Sequence, residues 1–322
     1  MRIVSLEDFR DIYIKACQRG IPFLLSKLSP SSDQRTKSSF NQTDIPVAYW
    51  SQIPLVRKRW NVMMTGDEEM EFEEYTSRKL SLTQPGVKML SVGSGVCSHE
   101  LRFAALNPNW EITCIDFSEK LLQEAAQNAR ENGLSNIRFV AENIYRHELP
   151  DNTYDIVFFN ASLHHFKNMG TFLERMRKTL KPSGYLVINE FVGADRMLYD
   201  KTQIAAINEG LQLLDKSYRT IYRTHLTKNR YYGSGLLRML ISDPSECVES
   251  ERILPEIHRL FTTVEEKGYG GNILMPLLKD LAHHFMACGP QEEETLRTLF
   301  ALEDEYLQQH TSDYLFGIYT KS

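Results

Sequence analysis

Two small sets of residues could do chemistry. The first is a turn, Gly93-Ser94-Gly95, which ends the apolar run VKMLSV and leads into the polar run CSHE. Glycines let a backbone approach a ligand closely. A helix opening behind such a turn offers N–H groups to an anion. Asp116 stands 21 residues beyond Gly95, at the end of the next apolar run. An acid there can accept hydrogen bonds from a pair of ribose hydroxyls. The second set is His164, His165 and Glu190, with Glu190 26 positions beyond His164. Histidine changes charge near neutral pH, and a carboxylate that orients its ring makes a sound general base.

The turn does not name its ligand by itself. A dinucleotide fingerprint, GxGxxG, needs a third glycine where this chain has Ser98. A phosphate-binding loop needs Gly-Lys-Ser/Thr, which does not follow. The ribose acid is common to several nucleoside-bearing ligands. The LHH stretch could simply cap a turn, with both histidines bonded to backbone.

These residues must be positioned by the elements around them. From Gly86 to Val192 short apolar runs alternate with helical patterns. VKMLSV, EITCID, IRFVA, YDIVFFN and GYLVINEF read as five strands. Helices fall between them at about 98–106, at SEKLLQEAAQNAREN with Ser118 as N-cap and Gly133 near its end, and at about 171–180. Strand–helix alternation with buried runs predicts a doubly wound, mostly parallel sheet. FTTVEEKGY and DYLFGIYTK read as a sixth and a seventh strand, the last antiparallel.

The expected organisation is therefore an α/β chain in four parts. Residues 1–85 form a mainly helical N-terminal region, with a polar, Ser-rich loop at 29–44. Residues 86–194 are a cofactor-binding, Rossmann-like core. Residues 195–245 are a helical acceptor-site insertion. Residues 246–322 complete the sheet around a second helical insertion at 275–310, and the insertions form a lid. SYRTIYRTHLTKNRYYGSG (217–235) mixes tyrosines, arginines, Lys228 and His225. It suits an acceptor with polar or anionic groups, or a solvated helix face.

Composition excludes several classes. The 322 residues are 42% hydrophobic and 25% charged, with net charge -5 and pI about 6.0. No basic field points to nucleic acid. No apolar run approaches a membrane span of about 18 residues. Acids at Glu7 and Asp8 speak against a signal peptide. Five scattered cysteines without a CxxC pair suit reduced cytoplasmic thiols and no metal. Oligomeric state is not readable.

Residues 50–192 and the closing strands resemble class I S-adenosylmethionine-dependent methyltransferases. The likeness rests on Gly93 and Gly95, on Asp116, and on FFNASLHHF (158–166) followed by LKPSGYLVINEF (180–191) in order and spacing. DPSECVESERILPEIHRLF and KGYGGNIL further resemble bacterial methyltransferases of natural-product or glycan pathways. The resemblance implies S-adenosylmethionine as cofactor, bound by Gly93, Ser94, Gly95, Asp116, Phe117, Asn143 and Asn160. Phe117 would pack on the adenine, and Asn143 would stand for the acid that reads the adenine amino group. A plain turn is the other reading of Asn143. Cys97 stands where a third glycine often occurs, and Ser91 replaces the usual acid on the first strand. The implied activity is O-methylation, or N-methylation, of a small-molecule or glycan-pathway acceptor, with His164, Glu190 and His165 as catalytic residues. Two other classes compete: a nicotinamide-dependent oxidoreductase, and an adenosylmethionine-binding protein or cyclase that transfers no methyl.

Overall fold

A computed structural model describes residues 2–20 and 49–321. The Ser-rich stretch at 29–44 lies outside the described residues. The chain divides into two compact units, each built from separate segments. One comprises Met64–Val192, Cys247–Lys267 and Leu315–Ser322 and carries the sheet. The other comprises Met1–Met63, Gly193–Glu246 and Gly268–Tyr314.

The sheet has seven strands: β1 (Val87–Val92), β2 (Trp110–Asp116), β3 (Ile137–Ala141), β4 (Tyr154–Asn160), β5 (Leu180–Phe191), β6 (Thr262–Gly270) and β7 (Tyr314–Thr320). Their spatial order is β3-β2-β1-β4-β5-β7-β6. The first five pair in parallel, as the alternation predicts, and antiparallel C-terminal strands complete the sheet, of which the sequence reading expects the last. β1 and β4 are buried almost throughout because both faces are covered by helices, which explains their unbroken apolar runs. The order reverses at β1, which lies between β2 and β4. In such sheets ligands bind beyond the strands' carboxyl ends at the reversal.

The helices of this unit are α3 (Phe72–Leu80), α4 (Ser98–Leu106), α5 (Glu119–Glu131), α6 (Met169–Thr179) and α9 (Ile253–Leu260). One face of the sheet packs Leu90, Val157, Phe159 and Ile188 against Phe172 and Met176 of α6 and Ile253 and Ile257 of α9. On the other face Phe158 meets Phe72 and Phe103, with ring centroids 6.2 and 5.3 Å away. The other unit holds α1 (Leu6–Arg19), α2 (Pro54–Thr65), α7 (Lys201–Leu213), α8 (Leu236–Ser242), α10 (Leu274–Leu278) and α11 (Pro290–Leu307).

Four boundaries differ from the sequence pattern, each for a tertiary reason. α6 begins at Met169 rather than near 171, because Glu249 accepts the backbone N–H groups of Asn168 and Met169, both at 2.9 Å. β5 begins at Leu180 rather than at Gly184. A bulge lets Tyr154 pair with Leu180 and Ile156 with Tyr185, and Ser183 takes φ 61 within it. The pattern of CVESERILPEIHRL suits a helix over about 247–260, but the α-helix is confined to α9, after a short 3₁₀ turn at Ser250–Arg252. The 195–245 insertion is α-helical only in α7 and α8, with short 3₁₀ turns at Asp195–Met197 and Lys216–Arg219. Beyond Arg219 the Tyr/Arg-rich stretch is irregular, with a bridge from Thr220 to Thr227. Its β-branched and aromatic residues and Gly233 at φ 75 disfavour a helix. Arg219 donates to Leu214 O at 2.6 Å and Lys228 to Pro276 O at 2.7 Å, while Arg223 and Arg230 lie over the rings of Tyr222 and Tyr232.

Candidate active site

β1 runs straight into the glycine turn. Gly93 takes φ 71, and a Cβ there would stand 2.8 Å from Ser162 Cβ, so no other residue fits without moving the Ser162 turn. Gly95 takes φ 54 and donates its N–H to Asp116 Oδ2 at 3.0 Å. A Cβ on Gly95 would meet no protein atom within 4 Å. Cys97 follows at φ 55, buried, as the residue before α4. The Ser94 hydroxyl is buried and finds nothing stronger than the Cys114 thiol.

Asp116 ends β2 almost fully buried. Oδ1 accepts Ser118 N–H at 2.7 Å and Oδ2 accepts Gly95 N–H. Burial raises its carboxyl above the ordinary range, against those backbone N–H groups. Each oxygen keeps a second lone pair, so the carboxylate can lock the turn and still accept from a ligand. Phe117 beside it is half-buried.

Asn143 behaves differently. It is exposed, and its Oδ1 accepts the N–H of Tyr145 at 3.0 Å, which starts the turn after β3. The geometry thus supplies the plain-turn role directly. Asn160 ends β4, where its Oδ1 accepts from Asn189 Nδ2 at 2.8 Å across the β4–β5 register.

His164 and Glu190 come together. Glu190 lies near the end of β5, fully buried, and its Oε2 is 2.8 Å from His164 Nδ1. Its Oε1 accepts the N–H groups of Ser162 and Leu163 at 2.5 and 2.6 Å. One carboxylate therefore fixes both the histidine ring and the turn that carries it. His165 lies alongside, with ring centroids 4.2 Å apart.

Glu100 was missed by the sequence reading. It is buried in the first turn of α4 and accepts from Ser91 Oγ at 2.6 Å. Burial raises its carboxyl, with the Ser91 bond working against the shift. A buried carboxylate from the following helix thus stands against Ser91 of β1. The available signal was a small hydroxyl on the strand and an acid two residues into the helix.

The turn fits a ligand of the kind the sequence implies. Backbone comes close at Gly95 with no protein side chain over it, a buried hydroxyl lies in the turn, and an acid closes β2. A seven-stranded sheet of this order with such a turn defines a class I S-adenosylmethionine-dependent methyltransferase. The methyltransferase domain family matches residues 83–263, more than half of the chain, and the protein belongs to that family.

Among curated relatives, a demethylmenaquinone methyltransferase of Geobacillus sp. (strain WCH70) is 29% identical over 133 residues, covering 41% of this chain and 56% of its own. One from Listeria welshimeri is 29% identical over 109 residues, covering 34% of this chain and 46% of its own. The chain thus spans about half the length of these relatives. A solved structure of phosphoethanolamine N-methyltransferase 2 from Haemonchus contortus, in complex with S-adenosyl-L-methionine, is 14% identical with a TM-score of 0.47. That likeness covers 83% of this chain and 56% of the other. Among the described residues no helix is long and apolar enough to cross a membrane.

Proposed function

We propose that the protein transfers the methyl group of S-adenosylmethionine to a hydroxyl or amine of a small-molecule or glycan-pathway acceptor in secondary metabolism. The observation that carries this reading is the buried Glu190–His164 pair at the carboxyl ends of β4 and β5, in the same unit as the glycine turn. The curated relatives are methyltransferases of demethylmenaquinone, which supports a small-molecule acceptor here.

The residues that would hold the cofactor are Gly93, Ser94 and Gly95 through the turn, Asp116 through its carboxylate, and Phe117 and Asn160 around them. When bound, S-adenosylmethionine supplies a methyl group already electrophilic on a sulfonium. The protein's share is to orient an acceptor, exclude water and take a proton. With Nδ1–H donated to Glu190, the His164 ring keeps the lone pair on Nε2 for that proton. Glu190 is fully buried and accepts from two backbone N–H groups beside its bond to the ring, so the ring is held in one orientation. His165 is a second candidate for the same proton. Asn143 is assigned to its turn before any contact with adenine.

The test is transfer of an isotope-labelled methyl group to a cell extract, followed by isolation of the product. A labelled small molecule with a new O-methyl or N-methyl group is expected. S-adenosylmethionine binding with no labelled product would overturn the reading in favour of a binding protein or cyclase.

A further inference from the structure

In the unit without the sheet, α1 carries its amphipathic pattern reversed. Its buried residues include Glu7, Asp8, Asp11 and Gln18, and its exposed ones are Leu6, Phe9, Ile12, Tyr13 and Cys17. A surface helix normally buries its apolar stripe. Polar bonds fix the orientation found here. Asp8 Oδ1 accepts the N–H of Gly235 at 2.8 Å and Arg238 Nε at 3.2 Å. Asp11 Oδ2 accepts from Arg238 at 2.5 Å, and Glu7 Oε2 accepts the N–H of Tyr232 at 3.1 Å. Rolling α1 to bury Leu6 and Phe9 would take these acceptors away and leave the Gly235 N–H and the Arg238 guanidinium without them, which buried groups tolerate poorly.

The outward apolar face continues onto α8. The N–H groups of Leu236 and Leu237 donate to the carbonyls of Arg2 and Ile3, both at 3.0 Å, which seats the chain ahead of α1 on the first turn of α8. The exposed residues of α8 are Leu237, Leu240 and Ile241, at the spacing of one helix stripe. Ile3 and Val4, 63% and 51% exposed, join the two stripes. At ~200 Å² for a fully exposed large side chain, Ile3, Val4 and the seven leucine, isoleucine, phenylalanine and tyrosine side chains of the stripes leave on the order of 900 Å² in contact with water. The largest apolar patch of a monomeric protein is ~300–600 Å². One side of a stable protein–protein interface covers about 800 Å².

We propose that this face packs against the same face of a second copy of the chain to form a two-fold dimer. A two-fold axis brings one patch onto itself, and side chains without charge meet their own copies without repulsion. The area is what a stable dimer needs. A helix that lies on a membrane instead carries exposed Lys and Arg beside its apolar stripe. Here Arg10 is paired with Glu7 and Lys15 with Asp11, no exposed residue of α1 or α8 is charged, and the net charge of the chain is -5. The proposal concerns assembly alone and is independent of methyl transfer.

The test is sedimentation velocity of the full chain from micromolar to sub-millimolar concentration. A species of twice the 37.3 kDa chain mass is expected. Phe9→Glu and Leu237→Glu, one on each helix, should each raise the dimer dissociation constant about tenfold or more. Leu106→Glu replaces a comparably exposed leucine of the sheet-bearing unit and should leave it unchanged. All three should keep the wild-type circular dichroism, since the side chains replaced are exposed. A monomer throughout the range would overturn the proposal, as would a dimer indifferent to either Phe9→Glu or Leu237→Glu, or one weakened as much by Leu106→Glu. Co-flotation of a monomer with phosphatidylcholine–phosphatidylglycerol vesicles, lost in Phe9→Glu, would overturn it in favour of a lipid surface.

Discussion

At the scale of single residues, Asp116 carries two loads at once. It fastens the glycine turn through Gly95 and the start of α5 through Ser118, and it presents the remaining lone pairs outward. Asp116→Ala should cost on the order of 1.5–3 kcal/mol in S-adenosylmethionine affinity. A loss smaller than tenfold by calorimetry, ~1.4 kcal/mol, would leave only the fastening role. Because burial raises the Asp116 carboxyl, affinity should begin to fall at a higher pH than an ordinary carboxylate would give. The Glu190–His164 pair gives a second residue-scale prediction. His164→Ala and Glu190→Gln should each lower kcat, by ~10²–10⁴-fold for a lost general base. The double variant should be little slower than the worse single. Glutamine is the better probe at 190, since alanine would also strip the acceptor from two buried N–H groups. Near wild-type kcat for His164→Ala on a hydroxyl acceptor would reduce the LHH turn to a structural part.

At the scale of elements, the two glycines of the turn serve different ends. Gly93 is required by a protein neighbour, Ser162, at 2.8 Å from a built Cβ, whereas Gly95 faces no protein atom within 4 Å. Gly93→Ala should therefore lower the melting temperature more than Gly95→Ala, both carrying the strain of a positive φ. The opposite order in thermal melts would mean that Ser162 does not hold the turn. The same contrast shows what could be read from the chain. β1 to β4, α4 and α5 follow from local alternation and capping, and Gly93, Gly95, Asp116, His164 and Glu190 stand at strand ends where that alternation puts them. The features that could not be read are long-range. Glu249 sets the start of α6 from 80 residues away. β5 gains its first residues from a bulge opposite Tyr154, and Lys228 donates to the carbonyl of Pro276, 48 residues on. No window of sequence contains both partners of such contacts.

At the scale of the whole molecule, buried acids shape the dependence of stability on pH. Asp313 is buried, accepts from Gln203 at 2.7 Å, and burial pushes its carboxyl up to about 7. The folded state then binds the proton more tightly than the unfolded one. Its contribution is fully present below about 4, the unfolded carboxyl value, and is lost as pH rises to about 7. Burial pushes His283 down to about 4, so its contribution is lost as pH falls from ~6.5 through that value, an opposing slope. Asp313→Asn isolates the first: its stability relative to the wild type should increase from pH 4 to pH 8 in urea melts. A constant difference across that range would refute the assignment. The central claim, that the glycine turn of this α/β unit holds S-adenosylmethionine, is tested most directly by one calorimetric comparison on the full chain. S-adenosylmethionine should bind the wild type, NAD should not, and Gly95→Val, with a branched side chain where the backbone must lie open, should lose binding while keeping the fold by circular dichroism. Binding of S-adenosylmethionine to Gly95→Val with unchanged affinity, or preference of the wild type for NAD, would contradict it.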